Sequence, residues 1–148
     1  AAHNALVASI AQVLPEGGEI SDANNSGSFE YYTSTSEDGV IGYAVKSSTI
    51  GFGGTLTLMV GILPDGTVYN TSVLAHSETP GLGAKCTSDE KFTSQWEGFA
   101  SDKVLKVKKD GGDVDAITAS TITSRAYTLA VANAVEFVKS MNGGLENE

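Results

Sequence analysis

Residues 55–74 of the chain read TLTLMVGILPDGTVYNTSVL, and this stretch decides the fold. Polar and apolar residues alternate from Thr55 to Ile62, which is the period of a half-buried β-strand. Pro64-Asp65-Gly66 supplies the chemistry of a tight turn, and Thr67–Leu74 then returns as a second strand-like run. The stretch therefore predicts an antiparallel β-hairpin.

A second hairpin is predicted earlier in the chain. Strand-like runs cover Phe29–Thr35 and Val40–Val45, with a turn at Glu37-Asp38-Gly39 between them. The segment before them, Ser21–Ser28, is rich in Asn, Ser and Gly and predicts a loop.

Helical periodicity appears at both ends of the chain. Apolar residues three and four apart predict a short helix over Ala5–Leu14, stopped by Pro15 and by Gly17-Gly18. The strongest helix runs from about Thr121 to Met141, and Gly143-Gly144 is expected to close it. Its predicted apolar face holds Ile122, Ala126, Leu129, Ala130, Val135, Phe137 and Val138. The fold class is α+β: an antiparallel sheet of two hairpins, packed with helices at both ends of the chain.

The region between the second hairpin and the last helix gives weaker patterns. Ser88–Ala100 predicts a helix with Phe92, Trp96 and Phe99 on one side, and Val104–Val107 predicts a short strand.

Length and composition indicate one domain, residues 1–148, with a helix and polar loop over 1–28 and the core over 29–148. The net charge of −9 argues against nucleic acid and against docking by charge on an anionic lipid surface. No apolar stretch approaches the roughly 18 residues that a membrane span needs. The single cysteine, Cys86, is expected to act as a small buried hydrophobe.

Hydroxyl side chains crowd the start of the last helix: five of the seven residues 118–124 are Ser or Thr. Two interpretations are open. One such residue suffices to cap the first turn, so the segment is either an ordinary N-cap or a phosphate site built on free N–H groups and the positive end of the helix dipole.

The same segment, led by Asp115, resembles the Asp-x-x-Ser/Thr-Gly-Ala-Thr motif of FMN-binding domains. These domains belong to the G subunit of Rnf electron-transport complexes and to the C subunit of sodium-pumping NADH:quinone reductases. The last Thr of that motif carries FMN through a phosphoester bond, and Thr121 stands at its position. Ala119 replaces the motif's Gly and Ser120 its Ala, and Ala119 is the change that would crowd a phosphate.

Two further segments resemble the same family. Residues 76–85, HSETPGLGAK, are similar to the family segment that lies against the flavin ring, and Gly51-Phe52-Gly53-Gly54 precedes a strand as in the family. The resemblance implies an FMN-binding set of Glu78, Thr79, Gly81, Leu82, Gly83, Thr118, Ala119, Ser120, Thr121 and Thr123.

What the resemblance implies about function is an electron-transfer flavoprotein component of a membrane-bound, ion-translocating complex of the Rnf type. Such a chain is a redox carrier within an oxidoreductase complex rather than an enzyme on its own, and no catalytic residues are assigned. It implies partner subunits, a flavin transferase that attaches the FMN, and a place on the extracytoplasmic (periplasmic) side of a bacterial inner membrane. An N-terminal membrane anchor is expected in the full-length protein, which makes this chain its soluble part.

Alternatives from other classes stay open. One is an extracytoplasmic sensory or ligand-binding module that holds FMN without passing electrons, and another is the equivalent C subunit of a sodium-pumping quinone reductase. No metal site is expected, because neither the two histidines nor the aspartates near residue 113 have ligand spacing. Arg125 is expected either to face solvent or to reach back toward the phosphate.

Overall fold

The computed structural model describes residues 10, 12–15, 18–21, 24–26, 29–37, 39–51, 53–76, 86–87, 90–99, 103–117 and 120–146, the side chains of 26 and 141–146 excepted. Six antiparallel strands form one sheet: β1 (Glu19–Ile20), β2 (Asn24–Ser26), β3 (Phe29–Ser36), β4 (Gly39–Ile50), β5 (Thr55–Ile62) and β6 (Val68–Ala75). The strands follow the order β1-β3-β4-β5-β6. β2 also pairs with β3, along residues 29–31, whereas β1 pairs with Ser34 and Thr35 of the same strand. Both predicted hairpins are therefore confirmed.

The α elements are α1 (Glu90–Thr93) and the long α2 (Thr121–Glu146), with 3-10 turns at Ser94–Trp96 and Lys108–Asp110. Near the start of the chain, Ile10, Gln12 and Val13 are helical. The predicted α+β class is thus confirmed. No helix in the part of the chain described above is long and apolar enough to cross a bilayer.

The main core lies between α2 and one face of the sheet. Alternate residues of β5 point into it, and the buried row of α2 repeats every three or four residues. The contributors from these two elements are Leu56, Leu58, Val60, Ile62, Ala126, Tyr127, Ala130, Val131, Ala134, Val135 and Val138. Cys86 is fully buried in this core, as predicted. Phe137 stacks on Phe29 at 4.7 Å between ring centroids, which ties the later part of α2 to β3.

The opposite face of the sheet carries a smaller core under the helical N-terminal residues. Ile10, Val13 and Leu14 pack there against Tyr32, Ala44 and Met59. Gly61 on β5 is what lets the two backbones meet, because a Cβ at this position would overlap the carbonyl oxygen of Val13. The sheet is consequently covered on both of its faces.

Several boundary predictions are wrong, for physical reasons that the structure shows. The segment Ser21–Ser28 is not all loop, because β2 pairs there with β3. β4 runs on to Ile50, five residues past the predicted end, because Lys46–Ile50 continue to pair with β5. α2 also continues through Gly143-Gly144 to Glu146.

The segment after β6 also differs from its prediction. In its described residues, 90–99, the helix predicted over Ser88–Ala100 is only α1 plus one 3-10 turn, because Gly98 takes a positive φ of 76° and its N–H donates to the carbonyl oxygen of Tyr69. Phe92, Trp96 and Phe99 are nevertheless all buried, as predicted. Val104–Val107 is not a strand, since only Val107 forms a bridge, with Val114.

The close contact at Gly61 gives a test of how the N-terminal segment is held. Gly61→Ala should lower the free energy of unfolding by about 1–3 kcal/mol, the usual cost of overpacking a close contact. Urea denaturation would measure it. Gly42→Ala is the matched control on β4: its Cβ would meet the flexible end of Leu14 at 2.7 Å, so its loss should be smaller. An equal loss in both variants would contradict the proposed role of the Val13 backbone.

Candidate functional site

Two hydroxyls of β4 set the position of α2 on the sheet. Ser47 Oγ donates to the carbonyl oxygen of Ala130, and Thr49 Oγ1 to that of Ala126, each at 2.8 Å. Two residues of strand and four residues of helix cover nearly the same length, roughly 6–7 Å. The next step of this match brings Gly51 level with Ile122. The first turn of α2 therefore lies at the end of β4, beside the turn that the Gly51 N–H closes on Gly54 at 2.7 Å.

Ser124 organises the residues that lead into α2. Its Oγ donates to the carbonyl oxygen of Ser120 at 2.9 Å and accepts the backbone N–H of Ile117 at 2.8 Å. The Ser120 N–H in turn donates to the Ile117 carbonyl oxygen at 3.1 Å. Together these bonds hold the backbone of residues 117 and 120 against the first turn of the helix. The positions of these two residues relative to α2 are therefore fixed.

The backbone of Asp115 is held by the side chain of Gln95, which lies twenty residues earlier in the chain. Gln95 donates through Nε2 to the Asp115 carbonyl oxygen at 2.9 Å and accepts the Asp115 N–H on Oε1 at 2.8 Å. The Asp115 carboxylate also pairs with Lys108 at 2.8 Å. Lys108 lowers the pKa of that carboxyl, through a hydrogen bond first and its charge second.

Arg125, one turn into α2, is held by an ion pair. Its Nε and Nη2 donate to the two carboxylate oxygens of Asp110, each at 2.8 Å. The side chain is 47% exposed, which confirms the expectation that it faces solvent, and it also pairs with a carboxylate of the 3-10 turn Lys108–Asp110. The hydrogen bond from Arg125 lowers the pKa of Asp110, and the charges of Lys106 and Lys109 add to the effect.

The hydroxyl residues at the helix start differ sharply in burial. Thr123 and Ser124 are buried at 1% and 0% exposure, Ser120 is buried at 8%, and Thr121 is half-buried. Thr118, the remaining hydroxyl of the segment, lies outside the described residues. Thr121 is therefore the most accessible hydroxyl among those that the structure describes in residues 120–124.

Of the predicted FMN-binding set, the structure brings together three members, Ser120, Thr121 and Thr123, at the first turn of α2. The others lie outside the described residues, and for them the sequence prediction stands alone: Glu78, Thr79, Gly81, Leu82, Gly83, Thr118 and Ala119. The sequence did not predict the roles of Gln95 and Asp110, because a single glutamine or aspartate gives no signal of the distant backbone or guanidinium that it binds.

The described residues fit a phosphate ester at the helix start. The Ser120 side chain stands next to Thr121, and its Oγ is buried without a hydrogen-bond partner. The first N–H groups of an α-helix have no partner inside the helix, and the dipole makes this end positive. The half-buried Thr121 hydroxyl would supply the ester oxygen, and the unused Ser120 hydroxyl and the free N–H groups at the positive helix end are the donors that the attached phosphate would require.

Comparison with known proteins gives the family. Residues 51–136 match the FMN-binding domain, a span that includes β5, β6 and the first turns of α2. The chain belongs to the FMN-binding domain family, and its cofactor is FMN. The resemblance predicted from the three motifs is confirmed.

The curated relatives are similar over most of this chain. It is 37% identical over 121 residues to the G subunit of the proton-translocating ferredoxin:NAD(+) oxidoreductase complex of Clostridium ljungdahlii, covering 80% of this chain and 65% of that protein. It is 38% identical over 129 residues to the G subunit of the ion-translocating oxidoreductase complex of Methanosarcina acetivorans, covering 86% and 67%. For the G subunit of the same type of complex in Vibrio cholerae (O395) the identity is 44% over 105 residues, covering 66% and 49%. The chain thus spans about half to two thirds of the length of these relatives.

Solved structures share the fold. The C subunit of the Na(+)-translocating NADH-quinone reductase of Parabacteroides distasonis superimposes with a TM-score of 0.59 at 19% identity, covering 89% of this chain and 78% of that one. NqrC of Shewanella oneidensis gives a TM-score of 0.54 at 20% identity, covering 75% and 61%. At this identity the likeness supports the arrangement of sheet and helices.

The Arg125–Asp110 pair gives a prediction for acid stability. The pKa of Asp110 is lowered in the folded protein from its ordinary 3.8, so the pair stabilises the fold above that pH and the contribution is lost as pH falls through the lowered value. Asp110→Asn should therefore lower the unfolding free energy at pH 7, by a small amount because the pair is exposed, and the difference from wild type should vanish in strong acid.

Denaturant titration between pH 7 and pH 2 would measure this difference, with Arg125→Gln and the double variant closing a cycle for the pair. A wild-type-to-variant difference that stays constant down to the lowest pH would contradict the assignment of the lowered pKa to Arg125.

Proposed function

We propose that this chain is the electron-transfer flavoprotein domain of a membrane-bound, ion-translocating oxidoreductase complex of the Rnf type, with FMN attached by a phosphoester bond to Thr121. The support is of two kinds. The FMN-binding domain family supplies the cofactor, and relatives at 37–44% identity are named as the G subunit of such complexes. The structure supplies a reason to favour one hydroxyl.

The observation that carries the choice of Thr121 is its accessibility. An attaching enzyme must reach the hydroxyl oxygen, and in residues 120–124 the other hydroxyl residues are at most 8% exposed while Thr121 is half-buried. Ser124 is further excluded because its oxygen already makes two hydrogen bonds. Thr118 is not separated from Thr121 by this argument, and there the motif alone favours Thr121.

The chain's own residues hold and orient the cofactor. FMN, when bound, supplies a ring that accepts and donates electrons. The Thr121 oxygen would be the ester oxygen, and the positive end of α2 would stabilise the remaining negative charge of the phosphate. The helix is in turn fixed on the sheet by Ser47 and Thr49, so the attachment point has a defined place relative to β4.

The remaining parts of the proposal concern the whole protein. The segment Glu78–Gly83 is proposed to lie against the flavin ring, with Thr79, Gly81 and Leu82 between those ends. The domain is proposed to work on the periplasmic side of the inner membrane, held by an N-terminal anchor, next to other subunits of the complex. A flavin transferase is proposed to form the ester.

Thr121→Val should abolish covalent flavin, because valine keeps the shape of threonine but has no oxygen to form the ester. The chain would be co-expressed with a flavin transferase, and in-gel fluorescence of the denatured band and the intact mass would be recorded. Wild type should gain the mass of one FMN less one water, on the peptide that holds Thr121. Thr128→Val, which removes a buried hydroxyl two turns further along α2 and outside the predicted FMN-binding set, is the matched control and should retain the flavin.

Fluorescence that stays on the denatured Thr121→Val band would show that another residue carries the flavin. If wild type itself takes up no flavin under any condition tested, the electron-carrier proposal fails as a whole.

The contact proposed for Leu82 has its own test. Leu82→Asp should leave the ester intact but alter the flavin absorption spectrum and midpoint potential, because a charge beside an apolar ring contact is poorly solvated. Leu82→Met keeps the site apolar and should change both little. An absorption spectrum and potential identical to wild type in the Asp variant would place Leu82 away from the ring.

A further inference from the structure

Ser120 occupies the N-cap position of α2 without acting as a cap. It directly precedes the first helical residue, Thr121. A serine at this position usually accepts a hydrogen bond from an N–H in the first turn. Here the Oγ of Ser120 is buried and has no hydrogen-bond partner, and the residue is only 8% exposed.

The unpaired hydroxyl is an exception within its own segment. Ser124 Oγ donates to the Ser120 carbonyl oxygen at 2.9 Å, and Thr128 Oγ1 donates to the Ser124 carbonyl oxygen at 2.7 Å. Burying a hydroxyl away from water without a hydrogen bond costs free energy, so native proteins seldom leave one in this state. The orphaned oxygen at Ser120 therefore calls for a partner that arrives after the chain has folded.

We infer that the Ser120 hydroxyl is a positioning residue for the cofactor: its O–H donates a hydrogen bond to a phosphate oxygen of the FMN carried by the adjacent Thr121. This inference rests on the proposed function. The acceptor is an anionic oxygen, and a hydrogen bond to an ionised group is stronger than one between neutral groups. No covalent bond changes at Ser120.

The sequence departs at this residue from the motif that the segment resembles. The motif that the segment resembles has Ala where Ser120 stands, so the hydroxyl is an addition to the common pattern. The neighbouring departure, Ala119 for Gly, is the one expected to crowd the phosphate. A donor at Ser120 gives the phosphate a compensating contact on the side of the helix start.

The experiment compares thermal unfolding of wild type and Ser120→Ala, each without flavin and with covalently attached flavin. Removing an unpaired buried hydroxyl should raise the melting temperature of the flavin-free chain by about 2–4 °C. In the flavin-loaded chain the same change removes a hydrogen bond, so the melting temperature should fall by about 2–6 °C. The substitution thus has opposite signs in the two states.

Ser34→Ala is the matched control. The Ser34 side chain on β3 is also fully buried, and its Oγ also has no hydrogen-bond partner. Ser34 pairs with Gly42 on β4, whereas Thr49 of the same strand lies against α2; at 3.4 Å per residue these two β4 positions are about 24 Å apart. Ser34→Ala should therefore shift the melting temperature equally with and without flavin.

A shift in Ser120→Ala that is the same in both states, as in Ser34→Ala, would overturn the inference and indicate a water or nothing as the partner. Should Ser120→Ala fail to load flavin, loading restored in Ser120→Thr supports the hydroxyl, and loading absent from both variants counts against it. Failure of wild type to take up flavin is a separate result, which overturns the proposed attachment at Thr121 first.

Discussion

The site depends on the two hydrogen bonds by which Ser47 and Thr49 of β4 hold the carbonyl oxygens of α2. Packing alone lets a helix slide or rotate on a sheet, because apolar contacts have no direction. Two bonds at matching repeats of strand and helix remove that freedom, and the small side chains of Ala126 and Ala130 allow the close approach. The start of the helix is consequently fixed at one end of the sheet.

At that end of the sheet, the hydroxyl residues differ in burial and in the hydrogen bonds that they make. Ser124 is a structural residue, which joins the backbone of Ile117 and Ser120 to the first turn. Thr121 is left accessible, and the Oγ of Ser120 is buried without a hydrogen-bond partner. A plain cap requires the side-chain oxygen to accept a hydrogen bond at the helix start, and the Oγ of Ser120 accepts none. The arrangement therefore favours the phosphate interpretation over the capping interpretation, which residue types alone left undecided.

The sequence predicted those parts of the fold in which periodicity carries the information. β5 agrees with its prediction at both ends, because polar and apolar residues alternate with burial in its first half and its second half is apolar and buried throughout. It failed where tertiary contacts decide. β4 is longer than predicted because its polar second half still pairs with β5, and Ile122 and Leu129, expected on the apolar face of α2, are each 53% exposed. At the site, the motif predicted the place, but Gln95 and Asp110 became visible only in three dimensions.

The stacking of Trp96 on Tyr127 of α2 has an optical consequence. Trp96, the only tryptophan of the chain, is fully buried and stacks on Tyr127 at 5.4 Å between ring centroids. Tyr127 lies six residues after Thr121, about 9 Å along the helix axis. Indole emission overlaps the near-ultraviolet and blue absorption of flavins, so a flavin joined at Thr121 would accept excitation energy from Trp96. The domain thus contains its own donor for reporting cofactor attachment, without any added label.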